Sequence, residues 1–177
     1  MSISKITKDL QGQNKKFPPV HKWNPELCEG QEFFIDREGD WFHNESPIKN
    51  KKLINLFSTV LRKDNNEYFL VTPVEKVPVK VELAPYKIID FEISEKKVEL
   101  TTNLNFKFYL NKNNSTRLIN YNDSYIPLVN VRSNIEGFFN RNTYYKLVDL
   151  ALENNFIEDE YLYIPGDEIN HIIGKVA

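Results

Sequence analysis

The chain has 177 residues and a single cysteine, Cys28, so no intrachain disulfide can form. Histidine is scarce too, with only His21, His43 and His171. There is no His-X-X-X-His and no Cys-X-X-Cys, so the close ligand pairs of a structural zinc are missing. No metal and no other cofactor is expected. The glycine loops that cradle phosphates, Gly-X-X-X-X-Gly-Lys and Gly-X-Gly-X-X-Gly, are absent, as is the Gly-X-Ser-X-Gly elbow of serine hydrolases. No apolar run approaches the ~20 residues that a membrane helix needs. The opening MSISKITKDLQGQNKK has neither the apolar stretch nor the cleavage site of a secretory signal. The expectation is a soluble, cytoplasmic protein with no membrane insertion. The Asn-X-Ser/Thr triplets at Asn44, Asn113, Asn114 and Asn122 then carry no glycosylation meaning.

Charge is also nearly balanced. Lys and Arg number 23 against 25 Asp and Glu, a net of −2. A binder of duplex DNA shows a basic excess or stripe, and neither is present, so no duplex DNA partner is expected. Lys49, Lys51 and Lys52 read as the solvated start of a helix. What the chain does have is enough apolar and aromatic sequence to pack one ordinary domain or two small ones.

The organisation centres on Trp41 to Lys76. Before it, residues 1–17 form a polar tail in which Ile3, Ile6 and Leu10 fall at helical spacing. FPPVHKWNPELCEG follows. Its prolines forbid a helix, and Val20, Trp23 and Leu27 anchor it as an ordered arm. Glu32 to His43 reads as a hairpin with Gly39 in its turn. Ser46 fits an N-cap with Pro47 at the first helical position. Leu53, Leu56, Phe57, Val60 and Leu61 mark one helix face, and Asp64 to Asn66 end the helix. Tyr68 to Val71 is a buried strand closed by Pro73. From Val77 to Asn111 the pattern has period two, giving antiparallel strands with short connections. Thr116 to Asn120 and Ile126 to Arg132 are further strands.

The first pattern then recurs. Val131-Arg132 echoes Asp36-Arg37, and Phe138-Phe139 echoes Trp41-Phe42. Tyr144, Leu147, Val148, Ala151 and Leu152 repeat the helical stripe, and Tyr161 to Ile164 repeats the Tyr-led strand before a proline. Ser133 and Glu136 have the spacing of a capping box, but Gly137 and the aromatic pair favour a hairpin there. The fold class expected is α+β: a duplicated small hairpin–helix–strand unit with an antiparallel, sheet-rich second half. The division expected is residues 1–17 as tail, 18–77 as a first unit with its Pro-rich arm, and 78–177 as a second, strand-rich unit. Two such units would stack along a seam to share a core.

PPVHKWNP, WFHNESPI, LFSTVL and YFLVTPVEK, with the later VNVRSNIEGFFNRNTYYKLVDLA and the Tyr-led strand, resemble a bacterial family of unknown function, DUF1285. The likeness runs from about Phe17 to the C-terminus. It departs at two turns, where the family has Asp-Gly against Glu38-Gly39-Asp40 here, and paired glycines against Ser133-Asn134. The resemblance implies a duplicated α+β architecture whose second part is superficially similar to a pleckstrin-homology-like domain. It also implies a ligand site between the parts and roles in signalling or cell-envelope processes. It implies no established activity.

The chemistry-bearing residues weigh toward binding. Asp36, Glu38 and Asp40 alternate like a calcium loop, but Gly39 falls at loop position 4 and Pro47 at position 12, so that reading fails. Cys28 with His21 or His43 could form a nucleophile and base, yet a lone cysteine more often packs as a small apolar residue. Trp41, Phe42 and Phe138 read as core; Trp23, among His21, Lys22 and Asn24, can line a groove. Thr72, Glu75 and Lys76 emerge together from a buried strand. Arg132 ends the matching strand of the second unit, where it either recognises an anion or pairs with Glu75 or Asp36. The site expected at the seam is therefore His21, Trp23, Asn24, Thr72, Glu75, Lys76 and Arg132, with no catalytic residue and no metal ligand. Its ligand would be anionic, sugar-containing or polymeric. The runner-up is a hydrolase-type enzyme using a His or carboxylate of the same groove. A third reading is a protein partner held by sheet edges.

Overall fold

The computed structural model describes residues 17–95 and 97–176. The helix expected around Ile3, Ile6 and Leu10 lies outside them. The chain divides into two compact units, Met1–Pro85 and Tyr86–Ala177. Both are α+β and mostly sheet, and the two halves are similar. Among the described residues no helix is long and apolar enough to cross a membrane.

In the first unit, β1 (Phe33–Ile35) and β2 (Trp41–His43) form the expected hairpin, with Ile35 opposite Trp41. Asp36 makes its turn: Oδ1 accepts from the backbone nitrogens of Glu38 and Asp40, and Gly39 supplies φ +80°. The acidic alternation is thus turn chemistry. Asn44 and Glu45, both at positive φ, reverse the chain again into β3 (Ser46–Pro47). Ser46 and Pro47 are therefore an edge strand, where proline is tolerated, and not a helix start. Asn50 is the cap instead, its side chain accepting from the backbone nitrogens of Lys52 and Leu53. Helix α1 (Lys51–Thr59) is shorter than expected. Phe57 is buried and Leu56 half-buried, while Val60 is the C-cap and Leu61 opens β4 (Leu61–Asp64). Asp64 to Asn66 turn β4 into β5 (Glu67–Val71), with Asn65 at positive φ. β6 (Lys76–Val81) completes the sheet, so the VPVKVEL strand belongs to the first unit rather than the second.

The sheet order is β3-β2-β1-β6-β5-β4, with every pair antiparallel except β1 and β6. Phe33, Ile35, Trp41, Phe57, Val60, Leu61 and Leu70 are all buried. Phe57 sits edge-on to Phe33 at 5.4 Å and stacks on Trp41 at 6.3 Å between ring centroids.

The second unit contains β7 (Tyr86–Ser94), β8 (Lys97–Thr102), β9 (Lys107–Tyr109), β10 (Thr116–Tyr121), β11 (Ser124–Arg132) and β12 (Ile135–Phe139), then α2 (Arg141–Glu153) and β13 (Ile157–Glu158), β14 (Tyr161–Ile164) and β15 (His171–Lys175). The first six strands make a sheet in the order β10-β11-β12-β7-β8-β9. The last three make a small antiparallel sheet, with β15 packed against β10 and β11. Again one pair is parallel, β12 with β7. Gly137 is opposite Tyr86 there, and a Cβ would lie 3.0 Å from the Tyr86 backbone oxygen, so a side chain at this position would have to push the two strands slightly apart.

Ser133 has φ +50° in the β11–β12 turn, so the hairpin prevails over the capping box. Asn140 caps α2 by accepting from the Thr143 nitrogen. Of the second stripe, Leu147 and Ala151 are buried, Tyr144 and Val148 half-buried, and Leu152 exposed. The hairpin–helix–strand order occurs in both units, β1-β2 to α1 to β5 and β11-β12 to α2 to β14.

Candidate functional site

The arm before β1 is held by the β4–β5–β6 end of the first sheet. Residues Val20–Lys22 make one turn of 3₁₀ helix, and Val20 is buried. Arg62 on β4 clamps this turn. Its Nη1 donates to the backbone oxygens of Val20 (2.8 Å) and Trp23 (2.6 Å), and its Nη2 donates to Asp64 Oδ2 at 2.8 Å. Further along, the arm adds to the start of β6: the Lys76 nitrogen donates to the Glu26 oxygen, and the Cys28 nitrogen to the Lys76 oxygen. Leu27, expected as an apolar anchor, is 54% exposed. The backbone does its anchoring through a parallel bridge to Lys76.

Lys76 joins the same network. Its Nζ donates to Asp64 Oδ2 at 2.8 Å and lies 3.9 Å from the Phe69 ring centroid. One carboxylate oxygen thus receives two cationic donors. Side-chain exposure is 13% for Arg62, 22% for Lys76 and 35% for Asp64. Burial alone would raise the Asp64 pKa, but the hydrogen bonds and positive charges of Arg62 and Lys76 outweigh it and hold the carboxyl below its ordinary range. Among these three side chains two positive charges meet one negative.

On the arm, His21 and Asn24 are exposed and Trp23 is half-buried. Thr72 and Glu75 differ from the expected ligand contacts. Both are buried, and Thr72 Oγ1 accepts from the nitrogens of Val74 and Glu75, closing the β5–β6 turn. Their first role is to shape the turn that delivers Lys76. Arg132 belongs to the second unit, where its Nε donates to the Tyr86 hydroxyl at 3.0 Å. His43 lies against Phe33 on the first sheet and bonds Gln31; burial lowers its pKa.

Arg62 and Asp64 were not expected in this cluster. The stretch LRKDNN reads as a helix end when the helical stripe is carried through Leu61. Read as a strand, its alternation puts Arg62 and Asp64 on one face, which was the signal available.

Comparison with known proteins follows the two units. Residues 18–84 match the family model "Domain of unknown function (DUF1285), N-terminal domain", and residues 85–171 match "Protein of unknown function (DUF1285), C-terminal domain". No curated protein matches the chain. The crystal structure of a DUF1285 family protein from Silicibacter pomeroyi is similar at 28% identity and a TM-score of 0.83, covering 97% of this chain and 95% of that one. A DUF1285 family protein from Shewanella baltica is 30% identical with a TM-score of 0.57, covering 69% of this chain and 94% of that one. With both of its family domains matched in order over most of its length, the chain belongs to the DUF1285 family.

Proposed function

We propose that the protein is a non-catalytic ligand-binding or regulatory module, and that its arm and the Arg62–Asp64–Lys76 cluster meet an anionic or sugar-containing ligand. The observation that carries this reading is the shared carboxylate. Asp64 cannot neutralise both cations, so an anion near Lys76 and Arg62 gains favourable charge in a chain with almost none net. The arm adds an aromatic face at Trp23 and exposed polar groups at His21 and Asn24. Because the arm is already fixed by Arg62 and the Lys76 bridge, binding costs little ordering. Asp64 held ionised by two cations suits an ion-pair acceptor better than a proton donor near neutrality, which disfavours a hydrolase-type use of this carboxylate. Duplex DNA is not the proposed ligand, since the charge balance supplies no basic stripe. We place this module in a bacterial cytoplasm, in line with the single cysteine, and assign it a regulatory task in signalling or cell-envelope processes.

Tryptophan fluorescence tests the proposal. Trp41 is buried, so a ligand at the arm changes the Trp23 signal. Titration with a hexose phosphate should give a saturable change that Trp23→Phe abolishes and Lys76→Ala weakens, while the neutral hexose gives less. Equal responses to the charged and neutral sugars, or a response indifferent to both variants, would overturn it.

A further inference from the structure

A cavity of about 600 Å³ lies within the second unit, well inside the ~300–1,000 Å³ typical of small-molecule sites. The end of the β7–β8 hairpin contributes Ile93 and Val98, and the last turns of α2 contribute Leu150. Phe156, Ile164 and Pro165 come from the segment around β13 and β14. The walls are therefore apolar on three sides.

Two polar side chains line the cavity, Asn154 and Asp167. Asn154 is the C-cap of α2; its Nδ2 donates to the Leu150 oxygen, which leaves the side-chain oxygen as an acceptor. Asp167 lines the rim, and no salt bridge or hydrogen bond is seen for its carboxylate among the described residues. The C-terminal end of α2, the negative end of its dipole, lies at the same place. Lys97 neighbours Val98, but strand alternation turns it outward: Val98 is buried and Lys97 exposed. The loop carrying Asp167 is also tightly seated. A Cβ on Gly166 would fall 2.6 Å from the Ile169 oxygen and 2.7 Å from His171 Nε2, on an imidazole that is itself fully buried.

We propose that this cavity binds a small molecule with an apolar body and a cationic amine head. The body packs against Ile93, Val98, Leu150 and Phe156. The head donates to the Asn154 side-chain oxygen and the Asp167 carboxylate. An anionic head meets the Asp167 carboxylate and the negative end of a helix, with no cationic side chain among the described lining residues to offset them, so the cavity discriminates by charge as well as by shape. This site is separate from the arm cluster of the first unit and does not depend on its ligand.

The test uses the full chain and two probes with the same ring system and opposite charge, 1-naphthylmethylamine and 1-naphthaleneacetate, titrated by calorimetry. The amine should saturate at one site per chain, with the acid about tenfold weaker or more. Asp167→Asn should weaken the amine about three- to fivefold without weakening the acid. Ile93→Ser, at a position already 49% exposed and so tolerant in folding, should weaken both probes. Lys80→Met, an exposed change on the first sheet, should leave the amine titration unchanged. Equal affinity for the two probes, absence of saturable amine binding, or amine binding unchanged by both Asp167→Asn and Ile93→Ser would overturn the proposal.

Discussion

Arg62→Met removes a clamp while keeping most of the side chain's apolar bulk. The structure sets the size of the effect. Arg62 makes three hydrogen bonds, to the Val20 and Trp23 oxygens and to Asp64, at 2.8, 2.6 and 2.8 Å, and is only 13% exposed. Bonds to a charged donor are worth about 1.5–3 kcal/mol each when well buried. The two carbonyls belong to a surface arm that can swing out and be rehydrated, so the full sum is not lost. Lys76 also still holds Asp64. The expected net cost is about 2–4 kcal/mol. Urea unfolding followed by circular dichroism measures it. The arm gives a second readout, because trypsin should cut faster after the exposed Lys22 once the clamp is gone. Lys80→Met is the control: the Lys80–Glu32 pair is 75% and 53% exposed, so solvent screens it and breaking it should leave the unfolding midpoint close to that of the unaltered chain. If Arg62→Met costs no more than Lys80→Met, and cleavage after Lys22 is no faster, the arm is held by something other than this guanidinium.

Trp41→Ala should cost ~3–5 kcal/mol, since the ring is 1% exposed and stacked on Phe57; a thermal melt close to wild type would show that the first core does not depend on it. Cys28→Ser should leave the Trp23 titration with hexose phosphate unchanged, because Cys28 contributes its backbone nitrogen to the Lys76 bridge; loss of the response in a folded variant would implicate the thiol. His43 and His171 both have pKa values lowered by burial, so the unfolded chain takes up protons first. Their contribution to stability should be complete above about pH 6.5 and fall as the pH drops below it. Denaturant midpoints compared at pH 7.5 and pH 5 check this, and a higher midpoint at pH 5 would contradict it.

Much of the fold is legible in the sequence because it is local. The β1–β2 hairpin, the Tyr-led strand, the period-two run and the second helix all follow from side-chain periodicity and turn residues. The first helix shows where that logic stops. Val60 and Leu61 keep helical phase with Phe57, yet two consecutive apolar residues also suit a turn into a buried strand, and periodicity cannot separate the two. The Ser46-Pro47 signature misleads for a related reason. Asn44 and Glu45 form a two-residue turn with positive φ, and pairing of Ser46 with His43 outweighs a cap that Asn50 supplies four residues on. The candidate site was partly legible. Trp23 and Lys76 stand out by residue type. Arg62 and Asp64 were hidden by the helix assignment, and Thr72 and Glu75 stand out by their place at the end of a buried strand, where Thr72 Oγ1 closes the turn. The parallel pairs β1–β6 and β7–β12 join strands far apart in the chain, and no local signal encodes them.

Those two parallel pairs explain the form of the duplication. In each unit three antiparallel strands run outward from the centre and three return, so the first and last strands of the six lie side by side. By place in the sheet, β1 corresponds to β7, β5 to β11 and β6 to β12. The helix does not share this phase: α1 joins the two sets of strands in the first unit, whereas α2 follows the last strand in the second. Aligning the chain on its helical stripes therefore pairs β1–β2 with β11–β12, strands that hold different places in their sheets. Aligning on sheet position gives another correspondence. The turn that starts at Thr72 links the fifth strand to the sixth in the first unit, and the turn between Arg132 and Ile135 links the fifth to the sixth in the second. Thr72 and Arg132 thus stand at the same turn of two sheets with one topology. In the first unit a threonine hydroxyl closes the turn. In the second an arginine at its start reaches the first strand of its own sheet through the Tyr86 hydroxyl. The same position has been given two different polar fastenings, and in the first unit this leaves Lys76, just past the turn, to bond Asp64 and the arm.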